Sequence, residues 1–137
     1  MKIEYLGHSC FKLGDCLVID PYKDGSVPGL PPLRTSATKV ICSHEHADHS
    51  GRECVEITDG PCDFEILEVS SFHDDAGGGL RGSNTIFVIT EVGSGEKLVH
   101  LGDLGHMLDD KQLAVIRDAD YLLIPVVWYS LPSGPMR

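Results

Sequence analysis

No run of about 18 consecutive apolar residues occurs in this chain, so nothing in it reads as a transmembrane helix. The opening Met1-Lys2-Ile3-Glu4-Tyr5 carries an early acid and has no signal-peptide core. Basic residues are scarce: 11 Lys and Arg stand against 21 Asp and Glu, a formal net charge of −10. An acidic surface repels phosphate backbones and anionic lipids, which disfavours nucleic acid or a membrane as the main partner and leaves a small molecule. Paired cysteine motifs are also missing. Cys10, Cys16, Cys42, Cys54 and Cys62 are odd in number, scattered, and form no C-x-x-C unit. That pattern predicts reduced thiols in a cytoplasmic protein, with a Cys54–Cys62 bridge as the alternative. Internal repeats, low-complexity tracts and interdomain linkers are absent as well.

What remains is an ordinary globular composition, 42% apolar and 23% charged over 137 residues. It suits one domain, residues 1–137, around one core. Strands are expected at 3–6, 10–13 and 16–20, with a turn at Gly14-Asp15. A Pro- and Gly-containing loop covers 21–32. Lys39 to Ser43 is a strongly apolar strand, and a short helical or irregular piece follows Gly51. Phe64 to Val69 alternates apolar and acidic residues as a half-buried strand does. Gly77-Gly78-Gly79 marks a flexible loop. Thr85 to Val92 and Lys97 to Leu101 read as a hairpin across Gly93-Ser94-Gly95. Asp109 to Ala119 fits an amphipathic helix with Leu113, Ile116 and Val115 inward. Tyr121 to Val127 is a final strand. Many strands with a late helix predict an α+β fold of stacked sheets with helices outside.

The apolar strand at 39–43 leads straight into His44-Glu45-His46-Ala47-Asp48-His49. Alternation projects His44 and His46 to one side; the chain must then turn, carrying Asp48 and His49 toward a neighbouring point. One metal cannot easily take all four side chains from so tight a segment, but two adjacent ions can share them. Neutral imidazole and carboxylate suit zinc, at about 2.0–2.2 Å. Two ions about 3.5–4 Å apart can share a bridging hydroxide. The alternative is a polar surface loop with clustered histidines. His73, after the strand at 64–69, suits a third ligand beside His44 and His46, or is an ordinary loop histidine. Asp103, after Gly102, suits a carboxylate bridging both ions, or is a helix cap or turn. His100 lies within a strand and reads as a core histidine. Cys10 and Cys42 sit in apolar strands and read as buried filler.

These residues resemble the metallo-β-lactamase fold superfamily, and within it the branch of ascorbate-6-phosphate-lactonase-like, zinc-dependent hydrolases. The resemblance rests on Gly7-His8-Ser9-Cys10-Phe11, Asp20-Pro21, Ser43 to His49, Phe72-His73-Asp74, Arg81-Gly82-Ser83-Asn84-Thr85 and His100 to His106. It implies an αββα sandwich with the metals at one edge of the two sheets. By position, His44, His46 and His73 would hold the first ion. Asp48 and His49 would hold the second, with Asp103 bridging. His8 would lie behind the ligands, face the substrate or serve structure alone, and His106 is a further residue within reach. Apart from the resemblance, Gly77 to Gly79 with Arg81 read either as a mobile loop over the site that holds an anionic substrate group or as a disordered solvent loop. Members of the family usually continue with Gly-Gly, a helix and a strand ending in a metal-binding histidine. Here Val127-Trp128 stands in place of Gly-Gly and the sequence ends at Arg137. The chain therefore resembles about the first two-thirds of such a protein, without the last helix and strand. The missing ligand would come from His106, water or another subunit of a homo-oligomer.

The function implied is hydrolysis of a lactone, ester or phosphodiester by a metal-held hydroxide, with Asp48 orienting the nucleophile and accepting its proton. Two readings compete with it: a metal-binding protein without catalysis, and an oxidoreductase using iron in the same ligands. Zn2+, Mn2+ and iron all accept this donor set, so the motif alone does not select the metal.

Overall fold

In the computed structural model, which describes residues 1–125, two four-stranded sheets face each other. The first contains β1 (Ile3–Gly7), β2 (Cys10–Leu13), β3 (Leu17–Ile19) and β5 (Lys39–Ile41), in the order β1-β2-β3-β5. The second contains β7 (Phe64–Phe72), β8 (Ser83–Glu91), β9 (Lys97–His100) and β10 (Tyr121–Leu123), in the order β10-β9-β8-β7. β4 (Thr35–Ala37) and β6 (Val55–Ile57) form a separate parallel pair. The helix α1 spans Asp110–Ile116.

Side-chain alternation explains the layers. In β3, Leu17 and Ile19 point into the space between the sheets, against Phe87 and Ile89 of β8 and Leu98 of β9. Val18 points the other way, toward Cys10, Tyr22, Leu33, Ala37 and Val55. In β8, Ile86 and Val88 turn outward to meet Ile116 of α1. Strands covered on both faces lose the apolar–polar alternation and read as continuous apolar runs, which is how Leu17-Val18-Ile19 and Ile86-Phe87-Val88-Ile89 appear. The outer face of the second sheet is thus covered by α1. Among the described residues, the outer face of the first is covered by the 21–34 loop and the β4–β6 pair.

Several sequence expectations change in detail. The cysteines are not all free: Cys16 and Cys62 are bridged, while Cys10, Cys42 and Cys54 remain thiols. Neither free thiols throughout nor a Cys54–Cys62 pair is found. Cys16 precedes β3 and Cys62 precedes β7, so the bridge joins the two sheets at the edge where both strands begin. The case for a reducing compartment that rested on unpaired cysteines falls with it. Leu113 is not inward but 45% exposed, and Gln112 takes the buried place beside Ile116. A capping box supplies the reason: Asp109 accepts from the Gln112 backbone, and the Gln112 side chain accepts from the Asp109 backbone. That fixes the start of α1 and rotates Gln112 toward β7, where its amide donates to the Ser70 carbonyl at 2.9 Å. Of the last predicted strand, Tyr121–Leu123 is present. Val126 and Val127, and the comparison made at Val127-Trp128, lie outside the described residues.

One topological fact prepares the site. β1 is antiparallel to β2, and β2 to β3, while β3 and β5 are parallel. So β1, β3 and β5 end at the same edge. β7 and β9 are both antiparallel to β8 and also end together. His8, Asp20, His44, His73 and Asp103 each follow the end of one of these five strands.

A candidate metal centre at one edge of the sandwich

The chain leaves β5 and enters the histidine run with Ser43, whose backbone N–H donates to Asp20 at 2.6 Å. Asp20 is fully buried and sits at φ +50, a left-handed conformation unusual for a residue with a Cβ. Its carboxylate is the hub behind the site. Ser43 Oγ donates to Oδ2 at 2.6 Å, and His49 Nδ1 donates to the same oxygen at 2.8 Å. Ser43 Oγ in turn accepts from His44 Nδ1 at 2.8 Å. One carboxylate therefore assigns the tautomer of two histidines, one directly and one through a hydroxyl. In both rings Nε2 is left bare and aimed away from Asp20. Orientation of ligating histidines by a carboxylate behind them is a general feature of metal sites.

Those bare nitrogens are buried and have no hydrogen-bond partner: His44 Nε2, His49 Nε2 and also His73 Nδ1. Buried polar atoms are nearly always paired, so three orphans side by side call for a ligand. Asp103 completes the picture. Its Oδ2 lies 2.9 Å from His73 Nε2, 3.0 Å from His49 Nε2 and 3.5 Å from His44 Nε2. The contacts to His49 and His44 lack hydrogen-bond geometry, so these groups converge on a shared point rather than on one another.

The residues fall into overlapping groups whose donor atoms lie within 4.8 Å of one another. His44, His46 and His73 form one, and His8, Asp48 and His49 another. A third, Asp20 with His44 and His49, is the orienting hub already described. The donors are imidazole and carboxylate, the set that divalent transition metals accept. On chemistry and on orphaned atoms alike, the residues fit metal ions.

The electrostatics point the same way. Burial disfavours the imidazolium of His49, yet Asp103 and Asp20 outweigh it and raise the pKa to about 10. The carboxylates that favour positive charge at His49 would equally favour a divalent cation on its Nε2 in place of a proton. Burial would push the Asp103 carboxyl up, but His44 and His49 hold it well below the usual carboxylate range. Partial desolvation, followed by the neighbouring His44 and His73, lowers the His46 pKa and favours the neutral ring that ligates.

Close packing brings Asp103 into place. Gly102 sits at φ +60, and a Cβ there would stand 2.4 Å from Asn84 Oδ1 and 2.7 Å from Ser43 Cβ. Only glycine lets the strand end approach this closely. Asn84, buried in β8, accepts from the Asp103 backbone N–H at 3.0 Å and donates to Ser71 Oγ and the Leu101 carbonyl, each at 2.9 Å. Asp20, Ser43 and Asn84 therefore position the candidate site residues, and sequence reasoning did not assign them this task. Their signal was present in the runs Asp20-Pro21, Ser43-His44 and Ser83-Asn84-Thr85, but their task depends on which strand ends meet.

The remaining candidates sort clearly. His8 hydrogen-bonds Asp48, Nε2 to Oδ2, at 2.9 Å. His100 is a satisfied core histidine: Nδ1 accepts from the Gly102 N–H and Nε2 donates to the Ser9 carbonyl. His106 is turned to backbone work, with Nε2 accepting from the Phe72 N–H at 3.1 Å and Nδ1 donating to the Met107 carbonyl at 2.7 Å. Both its nitrogens are spent, and it joins none of the ligand groups. The glycine run is not a free loop. Asp74 accepts from the backbone N–H groups of Ala76, Gly78, Leu80 and Arg81 and folds residues 74–82 into a set turn. These bonds, led by that from Arg81, hold the Asp74 carboxyl far below its ordinary range. The turn delivers Arg81 to the rim of an open cleft of about 1000 Å3, which His8, Asp48, His73 and Asp103 also line.

Comparison with known proteins agrees with this geometry. Residues 2–133 match the family described as the beta-lactamase superfamily domain. A UPF0173 metal-dependent hydrolase of Methanosphaera stadtmanae is 30% identical, over 92% of this chain and 72% of that protein. A protein of the same description from Methanospirillum hungatei is 28% identical over 92% of this chain and 70% of its own length. One from Natranaerobius thermophilus is 23% identical, over 92% and 71%. No solved structure matches the chain significantly. With a sandwich of two sheets, a histidine run at the end of β5 and a family match across nearly its whole length, the chain belongs to the beta-lactamase superfamily, in its metallo-β-lactamase fold.

Proposed function

We propose that this protein is a metal-dependent hydrolase with two divalent ions, zinc by preference, acting on a lactone, ester or phosphodiester. His44, His46 and His73 would hold one ion, Asp48 and His49 the other, and Asp103 would bridge them. The observation that carries the reading is the pair of buried, partnerless Nε2 atoms of His44 and His49 beside one Asp103 oxygen, with a third partnerless nitrogen, Nδ1, on the neighbouring His73 ring. The relatives' shared description as metal-dependent hydrolases supports the activity class.

Divalent ions in such a site supply Lewis acidity, polarising a substrate oxygen and making water acidic near neutral pH. The chain's own residues supply the rest. Asp20 and Ser43 keep His44 and His49 in the tautomer that presents Nε2. Asp48, at the cleft wall with its side chain 34% exposed, orients the attacking water and takes its proton. Arg81 is the one Lys or Arg among the described residues lining the cleft, so an anionic substrate group would be held there.

The test is hydrolysis of an aryl ester, a lactone and an aryl phosphodiester by chelator-stripped protein, with and without Zn2+ or Mn2+. Turnover is expected only after metal is restored. His46→Ala should lose the first ion and hydrolysis together. Full metal content in that variant, or turnover by stripped protein, would reject the proposal.

A further inference from the structure

We infer that His8 is a ligand of the second metal ion, completing the donor set of Asp48 and His49 from the far side of the first sheet. The inference rests on the two-ion reading above and adds to it a residue from the β1–β2 turn.

Three observations carry it. The donor atoms of His8, Asp48 and His49 all lie within 4.8 Å of one another. Asp48 Oδ2 stands between two imidazoles, 2.9 Å from His8 Nε2 and 3.5 Å from His49 Nε2. This repeats, one layer outward, the way Asp103 stands among His44, His49 and His73. The rings of His8 and His49 meet edge-on with centroids 5.3 Å apart, so the pair is not a stack and both nitrogens face the same carboxylate.

The backbone gives independent support. Among the described residues, the non-glycine residues at positive φ are His8, at +53, and Asp20, at +50. Such strain persists where the surroundings hold it and gathers at functional sites. Asp20 is the hub behind the histidines, and His8 is its counterpart in front. A glycine would adopt this conformation more easily, so the position retains histidine for its side chain. The turn is also pinned. β1 and β2 slip register between Tyr5 and Gly7, and the Tyr5 hydroxyl donates to the His8 carbonyl at 2.8 Å. The imidazole is thereby presented to Asp48 by a fixed backbone.

A hydrogen bond to Asp48 alone is the competing role, and the experiment separates the two. Wild type, His8→Ala and His8→Gln are stripped with chelator and titrated with Zn2+ and with Co2+, reading metal per chain and the cobalt absorption spectrum. Wild type should take two ions. His8→Ala should keep the first and bind the second at least about 100-fold more weakly, above the range for residues that only orient a ligand. His8→Gln should behave likewise, because an amide replaces the hydrogen bond to Asp48 but is a poor zinc ligand. Second-ion affinity in His8→Gln within about threefold of wild type overturns the inference and leaves the two-ion site standing. Fewer than two ions in wild type overturns the two-ion reading and the role of His8 with it. Circular dichroism of the stripped variants establishes that they fold, and His8→Gln decides the matter should His8→Ala fail to.

Discussion

Asp20 has no place among the proposed ligands, yet two of them, His44 and His49, depend on it for their orientation. Its carboxylate accepts from His49 directly and from His44 by way of Ser43, and it is fully buried. Replacing it with Asn puts an amide N–H against the donor of either His49 or Ser43. We expect Asp20→Asn to weaken zinc binding by about 10–100-fold while leaving the number of sites unchanged, as measured by competition with a chromogenic chelator. Unchanged affinity would mean that His44 and His49 are held by packing alone. The clustering of His44, His46, Asp48 and His49 as candidate ligands was legible from residue types at close spacing. The hub was not, because Asp20 and Ser43 meet only when the ends of β3 and β5 lie side by side, and nothing in either local run states that pairing.

Elements were legible where their pattern was long. β7 to β9 declared themselves through alternation and continuous apolar runs, and the hairpin at Gly93–Gly95 followed from turn chemistry. β4 and β6 did not. Thr35-Ser36-Ala37 and Val55-Glu56-Ile57 are three residues each, too short to show a period, and they pair with each other across the histidine run. The helix was anticipated but its facing was not, since apolar periodicity favoured Leu113 while the capping box selected Gln112. Gln112→Ala should therefore destabilise the protein by about 1–2 kcal/mol in urea unfolding, losing both the cap and the bond to Ser70. Leu113→Ala, at a half-exposed position, should cost under about 0.5 kcal/mol. The reverse order would show that α1 packs by its apolar stripe.

Across the whole molecule, the two sheets are fastened at both edges. The Cys16–Cys62 bridge joins them where β3 and β7 begin, and the candidate metal centre joins them where the same strands end. Ions that bind only the folded form stabilise it by mass action, about 2.7 kcal/mol at a hundredfold excess over Kd. For a chain of this size that corresponds to a rise in Tm of about 10 °C. We expect zinc to raise Tm by this order and chelator to remove the gain, read by calorimetry. An unmoved Tm would mean that the imidazole cluster does not hold metal.

The distribution of these side chains along the sequence carries one more consequence. From His8 to Asp103 they are drawn from five strand ends in two sheets, so no fragment smaller than the docked sandwich contains a working set. Distant pairings form late because the chain must first close long loops. Capture of the cation therefore acts as a lock turned after assembly rather than as a seed for it.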